Sequence, residues 1–86
     1  MSLEGKVKKQ IESGCLKCTQ TNGNYLSQII LNDTKRTVAL GSRDLRLALK
    51  ILWEESYNDR LSDKEVAEII SILEIECFKS VPIETQ

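Results

Sequence analysis

The stretch that decides the fold is Ser42-Arg-Asp-Leu-Arg-Leu-Ala-Leu-Lys-Ile-Leu-Trp-Glu-Glu-Ser-Tyr57. On a helix its apolar side chains cover an arc of about 240°. They are Leu45, Leu47, Ala48, Leu49, Ile51, Leu52 and Trp53. A surface helix needs an apolar stripe of only about 100°, so the sequence predicts a central helix contacted on two or three sides. Ser42 suits its N-cap, and Asp44 suits its first turn.

Three short strands are predicted before this helix, over residues 15–20, 25–31 and 36–40. The first two are separated by residues 21–24, in which Asn22-Gly23 is typical of the type I′ turn of a tight hairpin. Residues 32–35 form the second predicted turn. The third strand is β-branched and apolar near its end, with Val38 and Leu40. Consecutive strands joined by such short turns predict an antiparallel meander.

A further helix is predicted on each side of this central unit. Leu3, Val7 and Ile11 give residues 3–13 a thin apolar stripe, and Gly14 suits the C′ position, where φ is positive. The third helix begins at the capping box Ser62-Asp-Lys-Glu65, flanked by Leu61 and Val66 as a hydrophobic staple. Its core stripe is Val66, Ile69, Ile70, Leu73 and Cys77.

The end of the third helix is ambiguous in the sequence. Residues 73–77 also alternate with period two, so helix and strand both remain open for 72–78. The stripe that continues to Cys77 favours helix to about residue 76. Val81-Pro82 ends any helix, because a residue that precedes proline avoids the α region.

These elements predict an α+β fold in the order α-β-β-β-α-α. It has a short N-terminal helix, a three-stranded antiparallel β-meander, and two C-terminal helices packed on the sheet. The 86 residues form one small globular domain, 1–86, with a loose tail at about 80–86. So short a chain has marginal stability unless a partner or another constraint supplements its core.

The cysteine count and the apolar runs bear on the cellular compartment. Three cysteines are too few for a disulfide scaffold, and the odd number favours a reducing cytosol. No apolar run is long enough for a membrane span. The expected localisation is therefore cytoplasmic.

The chain contains no histidine, which removes several kinds of active site. A Ser-His-Asp triad, a Cys-His pair and an imidazole metal site are all impossible. The carboxylate pairs lie on the polar sides of predicted helices, and no phosphate-binding glycine motif is present. We expect no catalytic residues, no cofactor and no small-molecule substrate, and hence a protein that is not an enzyme.

Cys15 and Cys18 have the CxxC spacing of redox and zinc sites. Redox pairs of this kind lie at a helix N-terminus, whereas these two lead into a strand. A zinc knuckle needs two more ligands, and Cys77 supplies one at most. We expect one inward cysteine, one on the other face, and no metal.

Charge is distributed unevenly along the chain. Residues 1–53 hold nine Lys/Arg against four Asp/Glu, a balance of +5, and residues 54–86 hold three against nine, a balance of −6. The basic residues near the third strand and on the central helix are Lys35, Arg36, Arg43, Arg46 and Lys50. They suggest a nucleic-acid-binding accessory protein that uses the basic hairpin side, as the alternative function. Against it stand the net charge of −1 and the scarcity of aromatics on the hairpin.

The leading hypothesis is a small non-enzymatic protein-interaction module that self-associates. Ile72 and Ile75 fall outside the core stripe of the third helix, so they face water in a monomer or contact a partner. The competing interpretation is that both are covered within the chain, by the tail or by a strand at 72–78. A two-fold homodimer would bury them against their own copies. Glu68 would then lie at the rim of the interface. The expected partner is a second copy or another protein, with nucleic acid less favoured and no membrane contact.

Overall fold

The computed structural model describes residues 2–79, which form six elements in the order α-β-β-β-α-α. They are α1 Leu3–Ser13, β1 Leu16–Thr21, β2 Asn24–Leu31, β3 Thr34–Ala39, α2 Arg43–Tyr57 and α3 Asp63–Lys79. This confirms the predicted α+β class and the order of its elements. The expectation of a loose tail over residues 80–86 lies outside the described residues.

Two tight turns set the register of the sheet. Its strand order is β1-β2-β3, and both pairs are antiparallel. Asn22 and Gly23 form the first turn with φ of 51° and 79°, as the Asn-Gly signal predicts. Asn32 and Asp33 form the second with φ of 49° and 62°, because Asn and Asp tolerate left-handed backbone. This turn is shorter than the predicted 32–35, so β3 begins two residues early, at Thr34.

The helices cover one face of the sheet, and the core lies between these two layers. The strands contribute Leu16 and Ile29, which are fully buried. The helices contribute Val7 from α1, Leu45, Leu49 and Trp53 from α2, and Val66, Ile69, Leu73 and Cys77 from α3. On the opposite face of β2, Leu26, Gln28 and Ile30 are half-buried. The core thus contains the predicted α3 stripe except for Ile70, which packs at its margin.

The prediction for α2 needs a correction. Its five buried residues are Leu45, Ala48, Leu49, Leu52 and Trp53, which span about 140° of the helix. Leu47 and Ile51, on the other part of the predicted apolar arc, are 48% and 47% exposed. α2 does contact its neighbours on two sides, the sheet and α3, but residues 2–79 leave the part of the predicted arc with Leu47 and Ile51 uncovered. The reason is that α1 packs against β1 and α3, so it leaves the flank of α2 beside β3 open.

The helix ends follow local capping rules. The Leu45 amide donates to Ser42 Oγ at 3.3 Å, and Gly14 ends α1 with φ 87°. In the capping box, the Glu65 amide donates to Ser62 Oγ at 3.2 Å, and the Ser62 amide donates to Glu65 Oε1 at 3.0 Å. α3 continues to Lys79, so residues 72–78 are helical and the predicted end near 76 was three residues short. Within residues 2–79, no helix has the length and apolar character needed to cross a membrane.

Candidate interaction surfaces

The two cysteines of the CxxC pair occupy different positions at the start of the sheet. Cys15 lies before β1, and Cys18 lies within it on the inner face, two positions from the buried Leu16. Residues 2–79 contain no group of three or more metal-binding side chains. The prediction that the pair binds no metal remains a prediction. In the fold, Cys18 has a different cysteine as its neighbour, Cys77 on α3.

Cys18 and Cys77 lie side by side, where β1 meets α3. Burial, followed by a hydrogen bond to the other thiol, raises the pKa of Cys18. Burial also raises the pKa of Cys77, whose thiol donates to the Leu26 carbonyl oxygen at 3.9 Å. A raised pKa keeps a thiol protonated, and the thiolate is the reactive form. Beside Cys18, a cleft of about 500 Å³ opens between the end of α1, β1 and α3. The raised pKa values therefore favour the protonated, less reactive form of both thiols.

The five basic residues of the alternative hypothesis do not form one surface. Lys35 and Arg36 are neighbours on β3, so their side chains point to opposite faces of the sheet. Arg43, Arg46 and Lys50 follow one line along α2, near the start of α3. Lys50 is already paired there, because its Nζ lies 2.8 Å from Asp63 Oδ1. That ion pair lowers the pKa of the Asp63 carboxyl.

The α3 residues of the self-association hypothesis have different exposures. Ile75 is 55% exposed, whereas Ile72 is half-buried at the margin of the core. Glu68 and Lys79 are exposed. The four residues recur at intervals of four, three and four along α3, so they lie within an arc of about 60°. We call Glu68, Ile72, Ile75 and Lys79 the α3 seam.

Sequence reasoning missed Phe78, the most exposed of the large apolar side chains in residues 2–79, at 75%. Its signal was its position three residues after Ile75, which places both on neighbouring turns of a helix. A helix that ends at about residue 76 does not include Phe78, so the predicted bounds leave it out of the helix that carries Ile75. With α3 extended to Lys79, Phe78 borders the α3 seam.

A second apolar surface lies between β3 and α2. Leu47 and Ile51 form one wall of a groove of about 420 Å³, and Leu31 and Val38 line the opposite side. Arg36 and Asp44 are its charged lining residues. β3 is an edge strand, and five of its six residues are exposed. We call this the β3–α2 groove. The sequence predicts that Leu47 and Ile51, as part of the apolar arc of the central helix, are covered, whereas the structure leaves both exposed.

No protein-family model, no curated protein and no solved structure matches this chain.

Proposed function

We propose that this protein is a small non-enzymatic interaction module that forms a two-fold homodimer through the α3 seam. The observation that carries the proposal is the order of residues along the seam, in which two isoleucines lie between an acidic and a basic residue. The spacing of four, three and four is that of the a and d positions of a coiled coil. Such a seam suits another helix.

A two-fold axis through the middle of the seam requires two antiparallel copies of α3. Ile72 of one copy then faces Ile75 of the other, and Glu68 faces Lys79 of the other copy. Each contact occurs twice, as a two-fold interface requires. Neither charged residue forms a salt bridge within residues 2–79. One register thus matches both the apolar and the charged residues, which supports a second copy as the partner.

The apolar area of the seam is small. Two isoleucines per chain, with Phe78 beside them, bury less surface than a permanent dimer needs. The proposed dimer is therefore transient and forms at micromolar or higher protein concentrations. The cytoplasm is its proposed location, because the odd cysteine count suits a reducing compartment.

Sedimentation equilibrium of charge variants tests this pairing without disturbing the core. Lys79→Glu places like charges opposite each other, so we expect the dimer to weaken by about fivefold or more. Glu68→Lys combined with Lys79→Glu reverses both charges and restores the attraction, so association recovers. Both sites are exposed, and loss of folding is not expected to obscure the result.

Ile75→Glu should make the chain monomeric, and Ile51→Glu is its matched control. The control makes the same change at an isoleucine of similar exposure on α2, 47% against 55%. It should leave the dimer intact. A wild-type chain that remains monomeric at millimolar concentration would contradict the proposal, as would an Ile75→Glu variant that still dimerises.

A further inference from the structure

The β3–α2 groove combines two features that extended peptides use when they bind proteins. One is the free edge of β3, which pairs only with β2 among the described strands. An edge strand presents unpaired N–H and C=O groups to any chain that lies beside it. The other is the apolar channel that runs along this edge, with Leu47 and Ile51 on the helix side. Addition of a strand to an exposed sheet edge is a recurring mode of peptide recognition.

The pleat of an added strand determines which of its side chains enter the channel. Residues directly opposite each other on neighbouring strands share a face, and the face alternates along the chain. Thr34, Arg36 and Val38 of β3 line the groove. The partner residues opposite these three would therefore also point into it, and the residues between them would point to the outer face beside Lys35 and Thr37.

Charge selects the central residue of the partner. Arg36 occupies the middle of the groove floor and forms no salt bridge within residues 2–79. An acidic side chain opposite it gains a charge-assisted pair. Asp44 lies on the α2 wall. A second acidic side chain near it would be repelled.

The two ends of the groove favour apolar partner residues. Leu31 pairs with Thr34 at one end of the groove, and Val38 provides apolar surface at the other end. An apolar side chain at each end would cover exposed leucine and isoleucine surface, which is the favourable contribution from burial.

We propose that the β3–α2 groove binds an extended peptide segment of another protein, with the pattern apolar–any–acidic–any–apolar, as an added strand on β3. A second copy of this chain is disfavoured on the same edge. If two copies of β3 paired antiparallel, Lys35 and Arg36 of both chains would lie close together along a short interface. Like charges on facing strands oppose such pairing. The proposal concerns a different surface from the α3 seam and does not depend on the homodimer.

The probe is a labelled peptide with glutamate at its centre, valine two positions away on each side, and threonine between. This pattern reads the same in both directions, so it suits a parallel or an antiparallel strand. We expect saturable binding to the 86-residue chain by fluorescence anisotropy. A peptide with lysine at the centre should bind at least about tenfold more weakly, because it meets Arg36.

Protein variants assign the binding to the groove. Arg36→Glu should reverse the preference, so that the lysine peptide binds and the glutamate peptide does not. Leu47→Lys should abolish binding of both, whereas Glu55→Lys, which introduces a lysine at another exposed α2 position, should not. This reversal of charge preference is a readout that loss of folding alone would not produce.

The same variants provide the outcomes that would overturn the proposal. Absence of saturable binding at millimolar peptide would do so, as would binding that Arg36→Glu and Leu47→Lys leave unchanged. A second copy occupies the groove if the peptide fails to bind the wild type and if the Leu47→Lys variant sediments with a lower mass than the wild type. Measurement on the Ile75→Glu variant separates this result from the α3 seam, because peptide binding should persist there even when the dimer is lost.

Discussion

At the scale of single residues, the Cys18–Cys77 pair carries a pH dependence whose sign follows from its environment. Burial raises the pKa of both thiols above the ordinary value of 9.0. A folded-state pKa above the unfolded one means that the unfolded chain releases its protons first as pH increases. The contribution of the pair to stability is therefore fully present below pH 9.0 and is lost as the pH rises above it.

We predict that the midpoint of urea unfolding falls more steeply between pH 8.5 and pH 10 in the wild type than in Cys18→Ala, because thiols of the unfolded chain are half-ionised at about pH 9. Cys15→Ala is the control, because this cysteine lies before β1, outside the strand that carries Cys18. Equal slopes for wild type and Cys18→Ala would contradict the prediction. A parallel maleimide assay should show Cys77, which is fully buried, as the slowest of the three to react.

At the scale of elements, α2 offers a matched pair of leucines that separates its buried side from its exposed side. Leu49 is fully buried, and Leu47, two residues earlier on the same helix, is 48% exposed. Leu49→Ala should lower the free energy of unfolding by about 2–5 kcal/mol, because it removes apolar burial and leaves a cavity. Leu47→Ala should cost less than about 1 kcal/mol, because alanine is a good helix former and little burial is lost.

Urea melts of the two leucine variants check this assignment. A Leu47→Ala variant as destabilised as Leu49→Ala would mean that α2 is covered on its second side. The description of the β3–α2 groove as open would then be wrong as well. The experiment thus tests the boundary between the core and the proposed peptide site.

The sequence predicted those parts of each element that depend on neighbouring residues. Ser62 and Glu65 form the reciprocal capping box, and Asn22-Gly23 forms the tight turn, because these interactions involve only a few consecutive residues. The α3 stripe was also predictable, since a 3.6-residue period continues to Cys77. Local chemistry and periodicity therefore gave the order and type of all six elements in residues 2–79.

The candidate sites were less predictable, because they depend on which neighbours an element has. The apolar arc of α2 does not reveal that its flank beside β3 is uncovered, so the sequence predicts that Leu47 and Ile51 are covered. The hydrophobicity of a side chain shows that it can be buried, but it does not show whether another element of the fold covers it. Likewise, Lys35 and Arg36 are adjacent in sequence, but the pleat of β3 places them on opposite faces.

At the scale of the whole molecule, the arrangement of charge bears on the alternative of nucleic-acid binding. Lys35 lies on the outer face of the sheet, Arg36 lies in the β3–α2 groove, and Lys50 pairs with Asp63. A phosphate backbone is bound by several cations that face it together, and it releases counterions when they do. Here the basic side chains are divided among surfaces of a chain whose net charge is −1.

We therefore predict no specific binding to duplex or single-stranded DNA or RNA at tens of micromolar protein in near-physiological salt. At low salt, weak association is expected from Arg43 and Arg46, which lie one turn apart on α2. Fluorescence anisotropy with mixed-sequence probes over a salt series measures both.

The discriminating variant reverses Lys35, Arg36 and Arg43 to glutamate. One result would contradict this prediction: the wild type binds with a steep salt dependence, and this variant loses that binding. Basic residues on separate surfaces would then bind one nucleic acid, and nucleic-acid binding would be the better-supported function. If binding is weak and its loss follows Arg43 alone, only the general attraction of a cationic helix for phosphate is present.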